Sequence, residues 1–280
     1  MGKISACVIT LNEESSLERA LKSLGFADEI IVVDSFSSDQ SLKIAQRFTN
    51  LTFQRKWEGF AQQRNFALSK CTGDWIFFLD ADEKASEQLG KELRRIASSS
   101  TEKPNCFSVQ RIEYFLGKEL RFGPGNPSHQ WRFFKKGVRF EGDIHEYPLF
   151  DGPVGRIEQP IYHWPELDIE RFIRKLNHYT SLEALDRFKQ GQKTTLLHAF
   201  LTFFSTFLKN GIRYKGFWNG KEGVVLTLLE SVSRVVRHLK LWSLWQIYEG
   251  KLKLEKTLPK PGSKIPPAKH ELERPVWREL

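Results

Sequence analysis

Residues Gly73 to Glu83 read GDWIFFLDADE, an uninterrupted apolar run from Trp75 to Leu79 that stops on Asp80, Asp82 and Glu83. An apolar run of that length without alternation fits a strand buried on both faces, as in a parallel sheet covered by helices. The pattern recurs upstream in EIIVVD, Glu29 to Asp34, again closed by a carboxylate. Between and around these runs the periodicity turns helical. Leu17, Ala20, Leu21 and Leu24 space a helix over Glu13–Leu24, and Phe60–Leu68 and Ser86–Ala97 read as further helices. Ser37 and Ser38 are positioned to cap a helix running to Phe48. KISACVIT supplies a first strand and LTFQR a short one. Alternating strands and helices imply an α/β fold with a mostly parallel, Rossmann-like sheet and right-handed crossovers. Ligands of such sheets bind beyond the carboxyl ends of the strands, which places Asp34, Asp80 and Asp82 on one rim.

From Asn105 to Trp164 the signal is mixed: β-like CFSVQRIEYFL, the loop GPGNP, the aromatic WRFF, then VRFEGDIHEYP. Beyond Asp168 it is helical, with Phe172, Leu176, Tyr179, Leu182 and Leu185 expected on one apolar face and further helices over 194–209 and 224–248. The expected organisation is a catalytic domain over 1–165, a helical C-terminal extension over 166–250 and a basic, Pro-rich tail over 251–280.

The 280-residue chain has 43 basic and 34 acidic side chains, a net charge of +9. The first 150 residues hold 21 basic and 20 acidic groups, so nearly all of the excess lies in the second part, which points to an anionic partner there. Three scattered cysteines with no CxxC spacing exclude a disulfide scaffold and a zinc ribbon. The opening MGKISACVITLNEE is too short in its apolar run for a secretory signal, so no export is expected. No GxGxxG follows the first strand and no GxxxxGK[ST] or GxSxG occurs, which removes the dinucleotide, P-loop and hydrolase-elbow readings.

Acids crowded at a strand end face a cation more readily than each other, and hard oxygen ligands suit Mg²⁺ or Mn²⁺ completed by substrate phosphates. CVITLNEE, IIVVDSFSSDQS, FAQQRNFAL and GDWIFFLDADE occur in this order, and together they resemble the inverting family-2 glycosyltransferases, whose fold is the GT-A nucleotide-diphospho-sugar transferase fold. The resemblance spans about residues 3–165. It implies that Thr10, Asn12 and Glu13 lie in the nucleotide loop, that Asp34 reads the base and that Arg64 faces the nucleotide. It also places Asp80 at the ribose or metal and Asp82 at the metal. Phe36 stands where the family usually carries a small residue, often Gly. RFFKKGVRFEGDIHEYP resembles a bacterial branch that includes lipopolysaccharide-core glucosyltransferases acting on heptose, and FWNGKEGVV is similar to that branch with Asn219 where Asp is common. A glucose donor such as UDP-glucose and a lipid-linked saccharide acceptor are the expectations this carries; another donor, or a polyprenyl-phosphate or protein acceptor, is the alternative.

Inverting transfer requires a base for the incoming hydroxyl. Glu146 is the expected base with Asp143 as the alternative, and His145 is a candidate metal or diphosphate ligand. Trp131 and Arg132 are candidates for contact with acceptor or donor phosphate, though a Trp in such a position is more often simply core. Leu196–Leu208 is too short to cross a bilayer. Phe200, Phe203, Phe204, Phe207 and Leu208 lie close to Lys209, Arg213, Lys215 and Lys221, with Trp242 and Trp245 further on among Arg234, Arg237 and Lys240. Two arrangements are open for these helices, packing on a core or lying in an anionic membrane interface. The second puts the protein on the cytoplasmic side as a peripheral membrane protein. A nucleic-acid-binding protein is the non-enzymatic alternative; the strand-end acids would repel phosphate, and no zinc or RNP-type module is present, so no nucleic-acid partner is expected.

Overall fold

Burial along its whole length makes β1 (Ile4–Thr10) the axis of the first unit. β2 (Glu29–Asp34) and then β3 (Thr52–Gln54) lie parallel on one side of β1, and β4 (Trp75–Phe78) lies parallel on the other. The register sets Thr10 beside Asp34 and Asp34 beside Gln54, so the carboxyl ends of these strands share one rim. The computed structural model describes residues 2–99, 104–124, 128–142, 147–164 and 169–252.

Side-chain alternation along the strands sorts two cores. Ile4, Ala6 and Val8 of β1 and Trp75 and Phe77 of β4 pack with α1 (Leu17–Lys22), α2 (Ser41–Gln46) and α4 (Glu87–Ser98). Cys7, Ile9, Ile76 and Phe78 point the other way, into a cluster that includes Ala61 and Ala67 of α3 (Phe60–Lys70). Ser86 caps α4, its Oγ accepting from Leu89 N at 3.1 Å.

The second part of the sheet is built differently. Its strands are β5 (Glu83–Ala85), β6 (Cys106–Phe115), β7 (Lys118–Glu119), β8 (Ser128–Lys135) and β11 (Val154–His163). The order across the sheet is β3-β2-β1-β4-β8-β6-β11-β5, with β7 on β6. β8 is antiparallel to both β4 and β6, β11 is parallel to β6, and β5 closes the edge antiparallel to β11. The parallel arrangement is therefore continuous from β3 to β4, and the remainder is mixed. β9 (Arg139–Glu141) and β10 (Tyr147–Leu149) form a separate antiparallel ribbon.

The chain divides into two compact units, one of residues 1–121 and 125–165, the other of 122–124 and 166–280. In the second unit α5 (Ile169–Lys189) and α6 (Leu196–Leu208) each pack on α7 (Lys221–Tyr248). A π-helical turn at Lys209–Arg213 and a 3₁₀ turn at Gly216–Asn219 join α6 to α7. The core here is Ala184, Phe188, Leu241, Leu244 and Trp245. The expected apolar face of α5 is displaced: Tyr179 and Leu182 are exposed, while Thr180, Ser181, Ala184 and Phe188 turn inward. The cause is Lys240 of α7, which is buried and donates to Thr180 Oγ1, Ser181 Oγ and both the carbonyl and side-chain oxygens of Asn177 at 2.6–2.8 Å. A buried ammonium needs acceptors, and α5 rotates its polar strip to supply them. Trp245, Arg237 and Lys240 thus belong to the interior, not to a basic surface.

Candidate active site

At the end of β2, Asp34 is wholly buried and accepts from Ser37 N and Ser37 Oγ and from Gln54 Nε2 at 3.0 Å. Asn12 follows β1 with φ 55°, a left-handed conformation that Asn tolerates. Its Oδ1 accepts from Ser38 N at 2.8 Å, and its own N–H donates to Ser37 Oγ at 2.9 Å. Glu13 N donates to Ser41 Oγ at 2.8 Å. The serines are therefore occupied in joining the loops after β1 and β2, which is why α2 begins at Ser41 and the cap expected at Ser37 and Ser38 does not form. Thr10 is buried with its Oγ1 unpartnered among the described residues. Phe36 also adopts a left-handed φ, 62°, and is 58% exposed. A non-glycine side chain there costs on the order of 1 kcal/mol.

At the end of β4 a chain of charges follows the strand order. Arg64 of α3 donates to Asp80 Oδ1 at 3.1 Å. Arg132 of β8 grips both oxygens of Asp80, at 3.1 and 2.5 Å, and reaches Glu83 Oε1 at 2.7 Å. Arg111 of β6 lies 3.5 Å from Glu83 and 2.7 Å from Glu113. Glu113 bonds His163 Nδ1 of β11 at 2.5 Å, and His163 Nε2 lies 3.2 Å from Asp82 Oδ2. Eight groups thus alternate in sign from Arg64 to Asp82. Arg64 and Arg132 are both buried, and the Arg64 guanidinium also lies over the rings of Phe78 and Phe140. Burial alone would favour a neutral Asp80, but Arg132 and Arg64 hold its carboxyl well below the usual range. Burial raises Glu83, against the opposing pull of Arg132. Burial also works against a charged His163, yet Asp82 and Glu113 on its two ring nitrogens push it up to about 10.

Among the described residues no group of three or more His, Cys, Asp or Glu side chains converges to hold a metal unaided. Asp80 has its oxygens on guanidinium groups. Asp82 offers a carboxylate beside the His163 ring, each about a sixth exposed, and the imidazole would become a ligand only on giving up the proton that Asp82 and Glu113 favour. That pair suits a divalent ion that completes its shell with water and a diphosphate. The residues present therefore fit a metal shared with substrate, not a closed protein cage.

Asp143, His145 and Glu146 lie outside the described residues. They fall between β9 and β10. Asn65 clamps β9 from the residue next to Arg64, its amide bonding Phe140 O at 2.8 Å and Phe140 N at 2.9 Å. β9, which precedes these residues in the chain, is thus tied to α3 next to Arg64. Trp131 points away from Arg132, is 39% exposed and packs near Phe150, with ring centroids 5.6 Å apart.

The family model "Glycosyl transferase family 2" matches residues 5–150. The chain belongs to that family. An uncharacterised glycosyltransferase of Rickettsia typhi is 31% identical over 258 residues, 87% of this chain and 88% of that protein. The lipopolysaccharide core biosynthesis glycosyltransferase LpsC of Rhizobium meliloti is 28% identical over 253 residues, 84% of this chain and 93% of that protein. The crystal structure of S. aureus TarS 1-349 in complex with UDP-GlcNAc aligns over 89% of this chain and 92% of that one, at 13% identity with a TM-score of 0.43.

In this family-2 glycosyltransferase, Arg132 is the residue whose weight the sequence understates, since it contacts two acids at once. Arg111, Glu113 and His163 are absent from the expected site, and Glu83 enters it only as one of the acids that close the apolar run. Their only local signal is charge at alternate positions of apolar strands, as in Arg111 and Glu113.

Proposed function

We propose that this transferase moves a hexose, glucose from UDP-glucose, onto a lipid-linked saccharide such as the inner-core heptose of lipopolysaccharide, in a single displacement with inversion. The observation that carries this reading is the charged rim from Arg64 to Asp82 beyond the carboxyl ends of the parallel strands, with the buried Asp34 at the end of β2. The name of LpsC supports the acceptor class.

Asp34 and the orphan Thr10 hydroxyl hold the nucleoside, with Asn12 and Glu13 shaping the loop above it. Arg64 and Arg132 fix Asp80 towards the ribose and keep it ionised, so its geometry is set before substrate arrives. Asp82 and His163, with His145 as a further ligand, would hold Mg²⁺ or Mn²⁺. When bound, the ion supplies positive charge against the developing negative charge of the leaving diphosphate. Glu146 takes the proton of the attacking hydroxyl, with Asp143 as the alternative base. A lipid-linked acceptor places the protein on the cytoplasmic face of the inner membrane, as a peripheral protein on an anionic surface. No helix among the described residues is long and apolar enough to cross a membrane.

The test is nucleotide release from UDP-, GDP- and TDP-sugars by the full chain, with Mn²⁺ or Mg²⁺ and lipopolysaccharide truncated to its heptose. UDP release from UDP-glucose that requires both cation and acceptor is the expected result. Release of another nucleotide overturns the donor, and transfer confined to polyprenyl phosphate or peptide overturns the acceptor.

A further inference from the structure

The helix α6 wears its apolar residues on the outside. Leu196, Leu197, Phe200, Leu201, Phe204 and Leu208 are each between 47% and 66% exposed. They fall at positions i, i+1, i+4, i+5, i+8 and i+12, one continuous stripe of a helix. The inward side of α6 is already satisfied. Ala199 is buried, Phe203 stacks on Phe207, and Phe207 meets Phe217 of the 3₁₀ turn at 5.2 Å. The outward stripe is therefore surplus to the core of its own unit. A contiguous exposed apolar surface of this kind marks a binding face.

Charge selects what binds it. No Asp or Glu occurs from residue 187 to residue 221, a stretch that holds Arg187, Lys189, Lys193, Lys209, Arg213, Lys215 and Lys221. Lys209, Arg213, Lys215 and Lys221 are all exposed and follow the apolar stripe directly, with Trp218 exposed among them at 62%. The turn that presents them is tightly built: Gly211 has the Phe217 ring against its α-carbon, where a Cβ would come within 2.1 Å of Cζ. Asn219 anchors the same turn, bonding Phe122 N at 3.2 Å and Phe122 O at 2.8 Å. A second copy of this chain would bring like charge against like. An anionic bilayer offers hydrocarbon to the stripe and phosphate to the cations beside it, and Trp belongs at the boundary between them. The 13-residue helix is roughly 20 Å long, short of the bilayer core, so it lies in the plane of the interface.

We infer that the outward face of α6 and the basic turn after it form a bilayer-docking surface that inserts its leucines and phenylalanines among the acyl chains of anionic lipid. For its purpose this rests on the proposed membrane-borne acceptor; the surface itself is independent of which sugar is moved.

The test is flotation of the full chain with phosphatidylglycerol vesicles and with phosphatidylcholine vesicles. Variants Leu197→Ser/Phe200→Ser and Lys209→Glu/Arg213→Glu change only exposed side chains, and circular dichroism checks that each is folded. Wild type is expected to float with anionic vesicles and much less with neutral ones, and each double variant to bind roughly tenfold more weakly or worse. Thermal stabilisation by UDP with Mn²⁺ stays unchanged in both variants. Wild type that ignores anionic vesicles, or an apolar double variant that binds as well as wild type, overturns the inference. So does a wild-type dimer in solution that the Leu197→Ser/Phe200→Ser pair converts to monomer while neither binds vesicles, which assigns the face to a second copy. Vesicle binding without sugar transfer leaves this surface standing and removes only the acceptor reading.

Discussion

Replacing Arg132 by methionine is expected to lower stability by ~3–5 kcal/mol, the scale of breaking a buried charge pair from one side. Domains of this size stand only about 5–15 kcal/mol above the unfolded state, so the loss shows as a large fall in the urea midpoint. The reason is geometric. Arg132 serves Asp80 through two nitrogens and Glu83 through one, and Glu83 is wholly buried. Without the guanidinium, Glu83 keeps one cation, Arg111 at 3.5 Å, besides the hydrogen bond from Asp80 N, and Asp80 keeps Arg64 at 3.1 Å. Arg132→Lys tests the same point more gently, because an ammonium cannot reproduce the bidentate fork. It should retain part of the stability and still lose sugar-nucleotide affinity, since Asp80 is no longer held in place. A methionine variant with an unchanged urea midpoint contradicts this account of the cluster.

The second large effect concerns the proton of the acceptor. Glu146→Gln keeps the shape of the side chain and removes its basicity, so kcat should fall roughly a hundred- to ten-thousandfold. Donor binding, measured by calorimetry with UDP-glucose and Mn²⁺, should stay close to wild type, because the group acts on the acceptor hydroxyl. Asp143→Asn is the comparator: a modest change there supports Glu146, and a collapse there with Glu146→Gln active makes Asp143 the base.

Much of the fold was legible because burial on two faces leaves a mark that local pattern reading detects. WIFF became β4 and EIIVVD became β2, each ending at the rim where its carboxylate was expected. β5 and β11 left no such mark. Glu83 opens β5 with a fully buried carboxylate, and VGRIEQPIYH mixes charge, Pro160 and a register shift between Ile157 and Ile161. The polar site was readable only where acids sit at strand ends. Asp80 and Arg132 are far apart in the chain, as are Asp82 and His163, and no periodicity reports which distant charges will pair. The helices show the same boundary. Helical spacing placed α5, α6 and α7 correctly, yet it set Tyr179 and Leu182 inward because it could not register that Lys240 would require Thr180 and Ser181. Phe203 and Phe207 were grouped with Phe200 and Phe204 by composition, and the structure separates them into inner and outer faces.

The most direct measurement is a crystal structure of the protein grown with UDP-glucose and Mn²⁺. The nucleobase is expected against Asp34 and Thr10, and the ion on Asp82 and His163. A sugar nucleotide bound away from these side chains, with Asp82 still paired to His163 and no ion between them, would contradict the account.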